Sequence, residues 1–137
     1  MVMLRRYVVR VGGGGVVDSE RHSPCRPTAT SSLRLVAVVR RGRSSRSFIA
    51  VGDHAGQAAA CVANLRQALA DAGATLTDVV STRVLVASSR QADLVAAWEV
   101  VRDAFGDHDV PSTLLGVTVL SYDDQLVEVE AVAAVVD

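Results

Sequence analysis

Two glutamates near the end of the chain have the type and spacing that acid–base chemistry needs. Glu128 and Glu130 alternate with valine, so both carboxylates lie on one face of an extended strand. Carboxyl groups that are close together and shielded from water favour protonation, and such groups can transfer a proton during hydrolysis. The alternative interpretation is a partly exposed strand face with no catalytic role.

Arg83 is the cation that could complete a site with these glutamates. It lies in the β-branched run 78–87, in which the even-numbered residues from Val80 to Val86 share one face and Arg83 takes the other. A guanidinium there could pair with either carboxylate. Arg46, at the edge of a predicted hairpin, is a second candidate, and an ordinary surface salt bridge is the alternative for both arginines.

Other reactive residues lack the partners that their chemistry requires. His22 and Cys25 are spaced like metal ligands, but two further ligands are missing, so we expect no metal site. Cys61 falls on an apolar helical stripe, where a small buried hydrophobic residue is expected. His54 and His108 lie near predicted turns. The neutral ring of His54, just before the first helix, could donate to a ligand, but a solvent-exposed loop residue is the simpler interpretation.

The composition limits the classes of function that the chain can have. Its 137 residues suffice for one domain, half are hydrophobic and 21% are charged, which is typical of a folded protein. No apolar run reaches the ~18 residues of a membrane span, so we expect no membrane partner. Residues 1–11 lack a secretion signal and two cysteines make no disulfide framework, which predicts a cytoplasmic location.

The chain divides into an N-terminal arm over residues 1–32 and a regular domain over residues 33–137. Residues 1–46 hold ten arginines against two acidic residues, whereas residues 47–137 hold four arginines against thirteen acidic residues. A basic arm on an acidic body could bind nucleic acid. Because Tyr7 is its single aromatic residue for stacking on bases, a solvated leader is the simpler interpretation.

Hydrophobic periodicity predicts seven elements in the domain. They are strands over 33–38, 47–51, 78–87, 113–120 and 126–136, and helices over 56–72 and 91–105. We expect Ser88 or Ser89 to cap the second helix. This order predicts an α+β sandwich with a five-stranded sheet and both helices on one face. The other face would be bare in a monomer, so an oligomer is expected.

Five stretches between Gly52 and Val135 carry a family resemblance. They are the helix 57–73 with its Asn and terminal Ala-Gly, the strand 76–86, the helix end 98–105, the motif Val-Pro-Ser-Thr-Leu-Leu-Gly-Val over 110–117, and the closing strand 127–133. In this order they resemble the reactive intermediate deaminases, the Rid/YjgF family. The resemblance implies a chorismate-mutase-like α+β fold, with a five- to six-stranded mixed sheet. It also implies a homotrimer with a small-molecule pocket at each subunit interface.

The resemblance also implies a chemistry and a set of site residues. Family members with complete motifs hydrolyse enamine or imine intermediates to ketoacids and ammonia without a metal or organic cofactor. An arginine holds the substrate carboxylate and a glutamate orients water; Glu128 falls on that glutamate as the catalytic residue. Alignment on Thr113 and Gly116 puts Ser112 in the place of the arginine. The expected substrate-binding residues are Ser112, Thr113, Arg83, Val51 and Gly52.

Three functions remain open from the sequence. A serine cannot hold a carboxylate through two parallel charged hydrogen bonds, a loss of about 2–4 kcal/mol in a dry pocket. This favours a divergent, non-deaminase family member that binds or hydrolyses a small metabolite. The first alternative is an imine deaminase of the 2-iminobutanoate/2-iminopropanoate type. The second is a nucleic-acid or scaffold role of the basic arm, which we expect least.

Overall fold

The computed structural model describes residues 30–38 and 50–136, with side chains over residues 50–135. The elements are β1 (Thr30–Val38), α1 (His54–Asp71), a short 3-10 turn (Leu76–Asp78), β2 (Val79–Ala87), α2 (Gln91–Phe105), β3 (Ser112–Val117) and β4 (Val127–Val136). Two helices and a mixed sheet confirm the predicted α+β class.

The described sheet has the strand order β1-β4-β2-β3. Strand β4 runs antiparallel to both of its neighbours, whereas β2 and β3 are parallel and are joined by α2 as a crossover. Four strands lie within the described residues, so a fifth or sixth strand stays a prediction. Among the described residues, no helix is long and apolar enough to cross a membrane.

The predicted strand over residues 47–51 is wrong at its end. Ala50, Val51 and Gly52 form a turn, and residues 47–49 lie outside the described residues. The φ angles are +56° at Ala50 and +75° at Gly52, values that an extended strand cannot accommodate. The Phe, Ile and Val residues of this segment favour a strand, but its last two residues, Ala50 and Val51, belong to a turn.

The alternation in β4 separates the two faces of the sheet as predicted. Val127, Val129, Ala131 and Ala133 are buried in the core beneath the helices, whereas Glu128 and Glu130 point to the other side. We call this second side, which carries Arg83, Leu85, Glu128 and Glu130, the open face, because no described helix covers it.

Strand β2 follows the same alternation except at its start. Val84 and Val86 are fully buried, but Val80, which was expected on their face, is 50% exposed. The pairing with β4 is irregular between Val79 and Ser81, so an extra residue shifts the alternation by one position. Val79 takes the buried place instead, with 1% of its surface exposed.

Helix α1 covers the inner face through the predicted apolar stripe. Asp53 caps the helix, where its carboxylate accepts a hydrogen bond from the Gly56 amide at 2.9 Å. Gly73 follows the helix with a φ of +76°, a left-handed conformation that glycine adopts without strain. The stripe residues Ala58, Cys61, Val62, Leu65 and Leu69 are buried, whereas Ala72 is only partly buried.

Helix α2 has the predicted bounds but not the predicted cap. Arg90 occupies the N-cap position, and Ser88 supports it from outside the helix. The Ser88 hydroxyl oxygen accepts from the Arg90 amide at 3.0 Å, and the hydroxyl donates to the Asp93 carboxylate at 2.7 Å. Ala97 and Val101 are buried, and the predicted stripe residues Leu94, Trp98 and Phe105 pack against the core while partly buried.

Candidate functional site

The open face brings its polar residues together in two rows that run across the strands. In the first row, Thr113 in β3 pairs with Arg83 in β2, which pairs with Glu130 in β4. In the second row, Leu115 pairs with Leu85, which pairs with Glu128. One row is therefore largely charged, and the adjacent row places a carboxylate next to apolar residues.

Arg83 and Glu130 form an ion pair in the first row. Their nearest nitrogen and oxygen atoms are 3.5 Å apart, with 51% of the arginine side chain and 20% of the glutamate side chain exposed. A pair this exposed gains little stability because water screens it. The guanidinium is therefore able to exchange a carboxylate partner for a ligand at small cost.

Glu128 is the open-face carboxyl whose proton affinity is most altered. Partial burial raises the pKa of Glu128, and repulsion by the nearby Glu130 raises it further. A hydrogen bond from the Gln125 amide, at 3.4 Å, opposes this rise in pKa. Its cross-strand neighbour on β2 is the apolar, partly buried Leu85.

Gln125, which contacts Glu128, is almost fully buried. Its amide nitrogen donates to Glu128, while its amide oxygen has no hydrogen-bond partner among the described residues. Turning the amide over would present the oxygen to Glu128 as an acceptor for a protonated carboxyl. One orientation thus suits the ionised form of Glu128 and the other suits the neutral form.

A pocket of about 300 Å³ lies where β3 begins beside β2, a volume at the lower end of small-molecule sites. Its lining brings together four of the residues discussed above: Arg83, Ser112, Thr113 and Glu130. The predicted site residues Glu128, Val51 and Gly52 do not line this pocket. Within one chain, the predicted set is therefore divided between the pocket, the open-face position of Glu128, and the turn before α1 that holds Val51 and Gly52.

Ser112 and Thr113 differ in what their hydroxyl groups contact. The Ser112 hydroxyl donates to the Val110 carbonyl at 2.9 Å and lies 2.6 Å from the Thr82 hydroxyl, on the helix side of the sheet. Thr113 is exposed and stands opposite Arg83 in the strand register. Thr113 therefore belongs to the charged row, whereas the Ser112 hydroxyl is already engaged.

His54 is not the exposed loop residue that the sequence suggested, and His108 is also partly buried. The His108 Nε2–H donates a hydrogen bond to the Val79 carbonyl oxygen at 2.8 Å. The His54 Nε2 is buried 3.9 Å from the Asp93 carboxylate, with 17% of the side chain exposed. His54 lies beside α2 and His108 is bonded to β2, so contacts from other elements cover both rings.

Cys61 is buried as predicted and is not a nucleophile. Burial raises the pKa of its thiol to about 12, with a smaller contribution from the negative charge of Glu128. A thiol that stays protonated neither attacks a substrate nor binds a metal. The described residues contain no group of three or more His, Cys, Asp or Glu side chains that could hold a metal ion.

Gln57 and Gln125 were not singled out from the sequence. Gln57 lies four residues before Cys61, at the start of the stripe that continues to Leu65 and Leu69, so its burial could have been anticipated. A buried glutamine needs hydrogen-bond partners, but its partners could not be foreseen, because they lie in segments far along the chain.

These features define a class: an α+β protein whose sheet is packed against two helices on one side and carries an arginine, two glutamates and a shallow pocket on the other. The family model described as Endoribonuclease L-PSP matches residues 41–135. The chain therefore belongs to this family, the YjgF/Rid proteins.

Solved structures support the assignment. A member of the YjgF/YER057c/UK114 family from Mycobacterium tuberculosis is 31% identical, covers 76% of this chain and 79% of its own, and has a TM-score of 0.63. A Rid-family protein of unknown function from Yersinia pestis is 28% identical, covers 76% and 78%, and has a TM-score of 0.66. The YjgF gene product of E. coli, at 22% identity, covers 74% and 79% with a TM-score of 0.62. Comparison with curated proteins yields no significant match.

Proposed function

We propose that this chain binds or hydrolyses a small carbonyl- or imine-containing metabolite on its open face, with Glu128 as the acid–base residue. The observation that carries the proposal is the pair of cross-strand rows. They set Glu128, whose carboxyl has a raised pKa, one row away from Arg83 and Glu130, which line the pocket, on the side of the sheet that the two helices leave uncovered. The residues that stabilise the fold thus face the helices, and the residues of the proposed site lie on the open face.

Glu128 is suited to move a proton to or from an attacking water. Its pKa is raised toward the working range, so the carboxylate is a stronger base than an exposed glutamate. In imine hydrolysis, the water oxygen bonds to the imine carbon while Glu128 takes a water proton, and the π electrons of the C=N bond move to the nitrogen. Glu128 returns this proton to the nitrogen, which gives a carbinolamine. Glu128 then takes the hydroxyl proton and passes it to the nitrogen, so that the carbon–nitrogen bond breaks, ammonia leaves and the C=O bond of the product forms.

Arg83 supplies the positive charge that Ser112 cannot. Its guanidinium faces the pocket beside Thr113, and its ion pair with Glu130 is exposed enough to open for a ligand carboxylate or carbonyl. Deaminase chemistry on an iminoacid is therefore the second candidate, because the arginine is present on a neighbouring strand. A binding or hydrolysis role on an uncharged carbonyl compound is the first.

Two assays separate these candidates. An amino-acid oxidase can generate an iminoacid in the cuvette, and ketoacid release is then followed with and without the protein. A rate above buffer that Arg83→Ala abolishes would establish the deaminase. No rate above buffer, together with thermal stabilisation by an uncharged amide or ketone, would support the first candidate. Absence of both effects would contradict the proposal.

The proposal includes self-association, which fits a family whose members are generally oligomeric. Leu115 is 44% exposed beside Leu85 on the open face, an apolar edge that a second copy would cover. We propose a homotrimer in which neighbouring copies complete the pocket. Light scattering should give three chains per particle, and Leu115→Lys should lower that number. A stable single chain at micromolar concentration would contradict the trimer.

The nucleic-acid alternative concerns residues 1–32, of which residues 1–29 lie outside the described residues and residues 30–32 begin β1. In the described site, two glutamates accompany one arginine, a balance that disfavours a phosphate backbone. Deletion of residues 1–29, which leaves β1 whole, should therefore leave binding of small carbonyl probes unchanged. Salt-dependent RNA binding that disappears with the deletion would favour the alternative. The cytoplasmic location stays a prediction.

A further inference from the structure

The buried side chain of Gln57 connects two segments that are distant in sequence. Gln57 lies in the first turns of α1 and none of its surface is exposed. Its amide nitrogen donates to the carbonyl oxygens of Asp124, at 2.8 Å, and Ala50, at 3.4 Å. Its amide oxygen accepts from the Leu126 amide at 2.8 Å. One side chain thus uses both amide protons and its oxygen to join the turn before α1 to the loop before β4.

The two carbonyl partners of Gln57 share an unusual backbone conformation. Within residues 50–136, Ala50 and Asp124 are the non-glycine residues with positive φ, at +56° and +63°. A residue with a Cβ is disfavoured in this left-handed region, so such a conformation persists where surrounding contacts hold it. The Gln57 amide is bonded to the carbonyl of each, and it therefore restrains both strained residues at once.

The first restrained segment leads directly to predicted site residues. The turn continues from Ala50 into Val51 and Gly52, and the Asp53 amide donates to the Ala50 carbonyl at 3.0 Å. The turn also lies tightly against α1, since a Cβ at Gly56 would overlap the Asp53 carboxylate and come within 2.8 Å of the Ala50 methyl group. There is thus little room for the turn to move without moving α1.

The second restrained segment leads to Glu128. Leu126, whose amide donates to Gln57, follows Gln125, whose side chain contacts the Glu128 carboxylate at 3.4 Å. The Ala87 amide also donates to the Leu126 carbonyl at 2.8 Å, so Leu126 is anchored between α1 and β2. Both backbone groups of Leu126 are therefore bonded immediately before β4 begins at Val127, and these bonds fix where the strand starts.

We propose that Gln57 is a positioning residue that holds the turn of Ala50–Gly52 and the loop of Asp124–Leu126 in register with each other, so that Val51, Gly52 and Glu128 take up their places in the site. The inference rests on the proposed function, because it assigns Gln57 a role toward those site residues. It differs from a core-packing role, since an apolar side chain of the same length would fill the same space without joining the two segments.

The test compares Gln57→Met with the control Gln67→Met. Methionine keeps the length of glutamine and loses all three hydrogen bonds, whereas Gln67 on the same helix is exposed and bonds only within α1, to Asp71. The first readout is hydrogen exchange of the Leu126 amide, measured by NMR. Exchange should be about tenfold faster in Gln57→Met, the factor that corresponds to the net loss of one hydrogen bond, and unchanged in Gln67→Met.

The second readout is the titration of Glu128, followed by carboxyl-carbon NMR without any ligand. If the loop loosens, the Gln125 contact that lowers the pKa of Glu128 weakens, so its midpoint should move upward in Gln57→Met. The titratable groups that interact with Glu128 among the described residues, Glu130 on the same strand and the buried Cys61 thiol, are unchanged in both variants. A purely structural role for Gln57 would lower the unfolding midpoint and leave this titration where it is.

The third readout is binding of sodium pyruvate as a probe, which should weaken in Gln57→Met and not in Gln67→Met. If Gln57→Met does not fold, Gln57→Glu replaces it, because a carboxyl buried against two carbonyl oxygens stays protonated, keeps the acceptor for Leu126 and offers one proton where the amide offers two. That variant should retain Leu126 protection and lose protection of the Asp53 amide at the turn. A folded variant with wild-type exchange and an unmoved Glu128 titration would overturn the inference. If the wild type binds no probe, the proposed function fails, while the first two readouts still decide the role of Gln57.

Discussion

The inner and open faces of the sheet are made by the same strands and differ in almost every physical property. On β4, Val129 and Ala131 are buried against the helices, while Glu128 and Glu130 lie on the opposite side with a partly exposed arginine. One strand therefore contributes to the core and to the site through alternate residues. Moving one residue along β2 or β4 therefore takes a side chain from the core, where it stabilises the fold, to the open face, where it can contact a ligand.

The largest contrast between the faces should appear in thiol chemistry. With its pKa raised to about 12, the Cys61 thiol on the inner side is about 0.01% ionised at pH 8, against roughly a quarter for a free thiol. In a Cys25→Ser background, labelling of the native protein by a disulfide reagent should therefore be at least about a thousandfold slower than labelling in urea. Fast labelling of the native protein would show that the inner face is open to solvent.

The next contrast concerns packing. Leu65 is fully buried against the inner face, so Leu65→Ala should lower the free energy of unfolding by about 3 kcal/mol through lost transfer energy and a cavity. Val80, displaced to the solvent side by the bulge, serves as the control. Val80→Ala should cost less than about 0.5 kcal/mol. Chemical denaturation measures both free energies of unfolding, and equal losses would contradict the assignment of Leu65 to the core and of Val80 to the solvent side.

A smaller effect of opposite sign is expected on the open face. The raised pKa of Glu128, caused by burial and by Glu130, means that the folded protein binds this proton more readily than the unfolded chain, where glutamate titrates near pH ~4.3. The stabilising contribution is present below that pH and is lost as pH rises through the folded pKa. Glu128→Gln should therefore stabilise the protein at neutral pH and not below about pH 4.

The control for this prediction is Glu130→Gln, which keeps Glu128 and removes its negative neighbour. The pKa of Glu128 should then fall, though not to that of an exposed glutamate, since burial is the larger cause of the shift. Unfolding measured from pH 4 to 8 should show a correspondingly weaker pH dependence. A Glu128→Gln variant that is destabilised equally at every pH would mean that the carboxylate is held by favourable contacts instead.

The smallest change in stability is expected for Arg83→Ala. The ion pair with Glu130 is half exposed on the arginine side, so its loss should change the free energy of unfolding by less than about 1 kcal/mol. Binding of an anionic probe such as pyruvate should nevertheless weaken markedly, because no other described cation lines the pocket. Arg90→Ala, on the α2 cap, is the matched control for loss of positive charge. A large loss of stability with unchanged probe binding would give Arg83 a structural role.

Local pattern was sufficient to predict most of the elements. The period of apolar residues placed α2 at residues 91–105, and strict alternation placed Glu128 and Glu130 together on one side of β4. Both signals depend on neighbours a few residues apart, which is the range over which helices and strands repeat. The buried positions of Cys61 and Leu65 followed from the same periodicity.

The wrong predictions are those that depend on distant contacts. Val51 and Val80 have strand-forming side chains, yet one lies in a turn held by a buried amide and the other is displaced by a bulge. His54 stands at the start of α1, but only 17% of its side chain is exposed beside Asp93. In each case a local preference was overridden by packing that the neighbouring residues do not encode.

The order of apolar and charged residues along the chain is sufficient to predict the α+β class, the family and the separation of core and charged residues in β4. The row formed by Thr113, Arg83 and Glu130 depends on the folded sheet, because strand order and register follow from the packing of the whole sheet. The same holds for the bonds of Gln57 to backbone groups 67 and 69 residues away, since a buried amide bonds to the groups that the fold brings next to it.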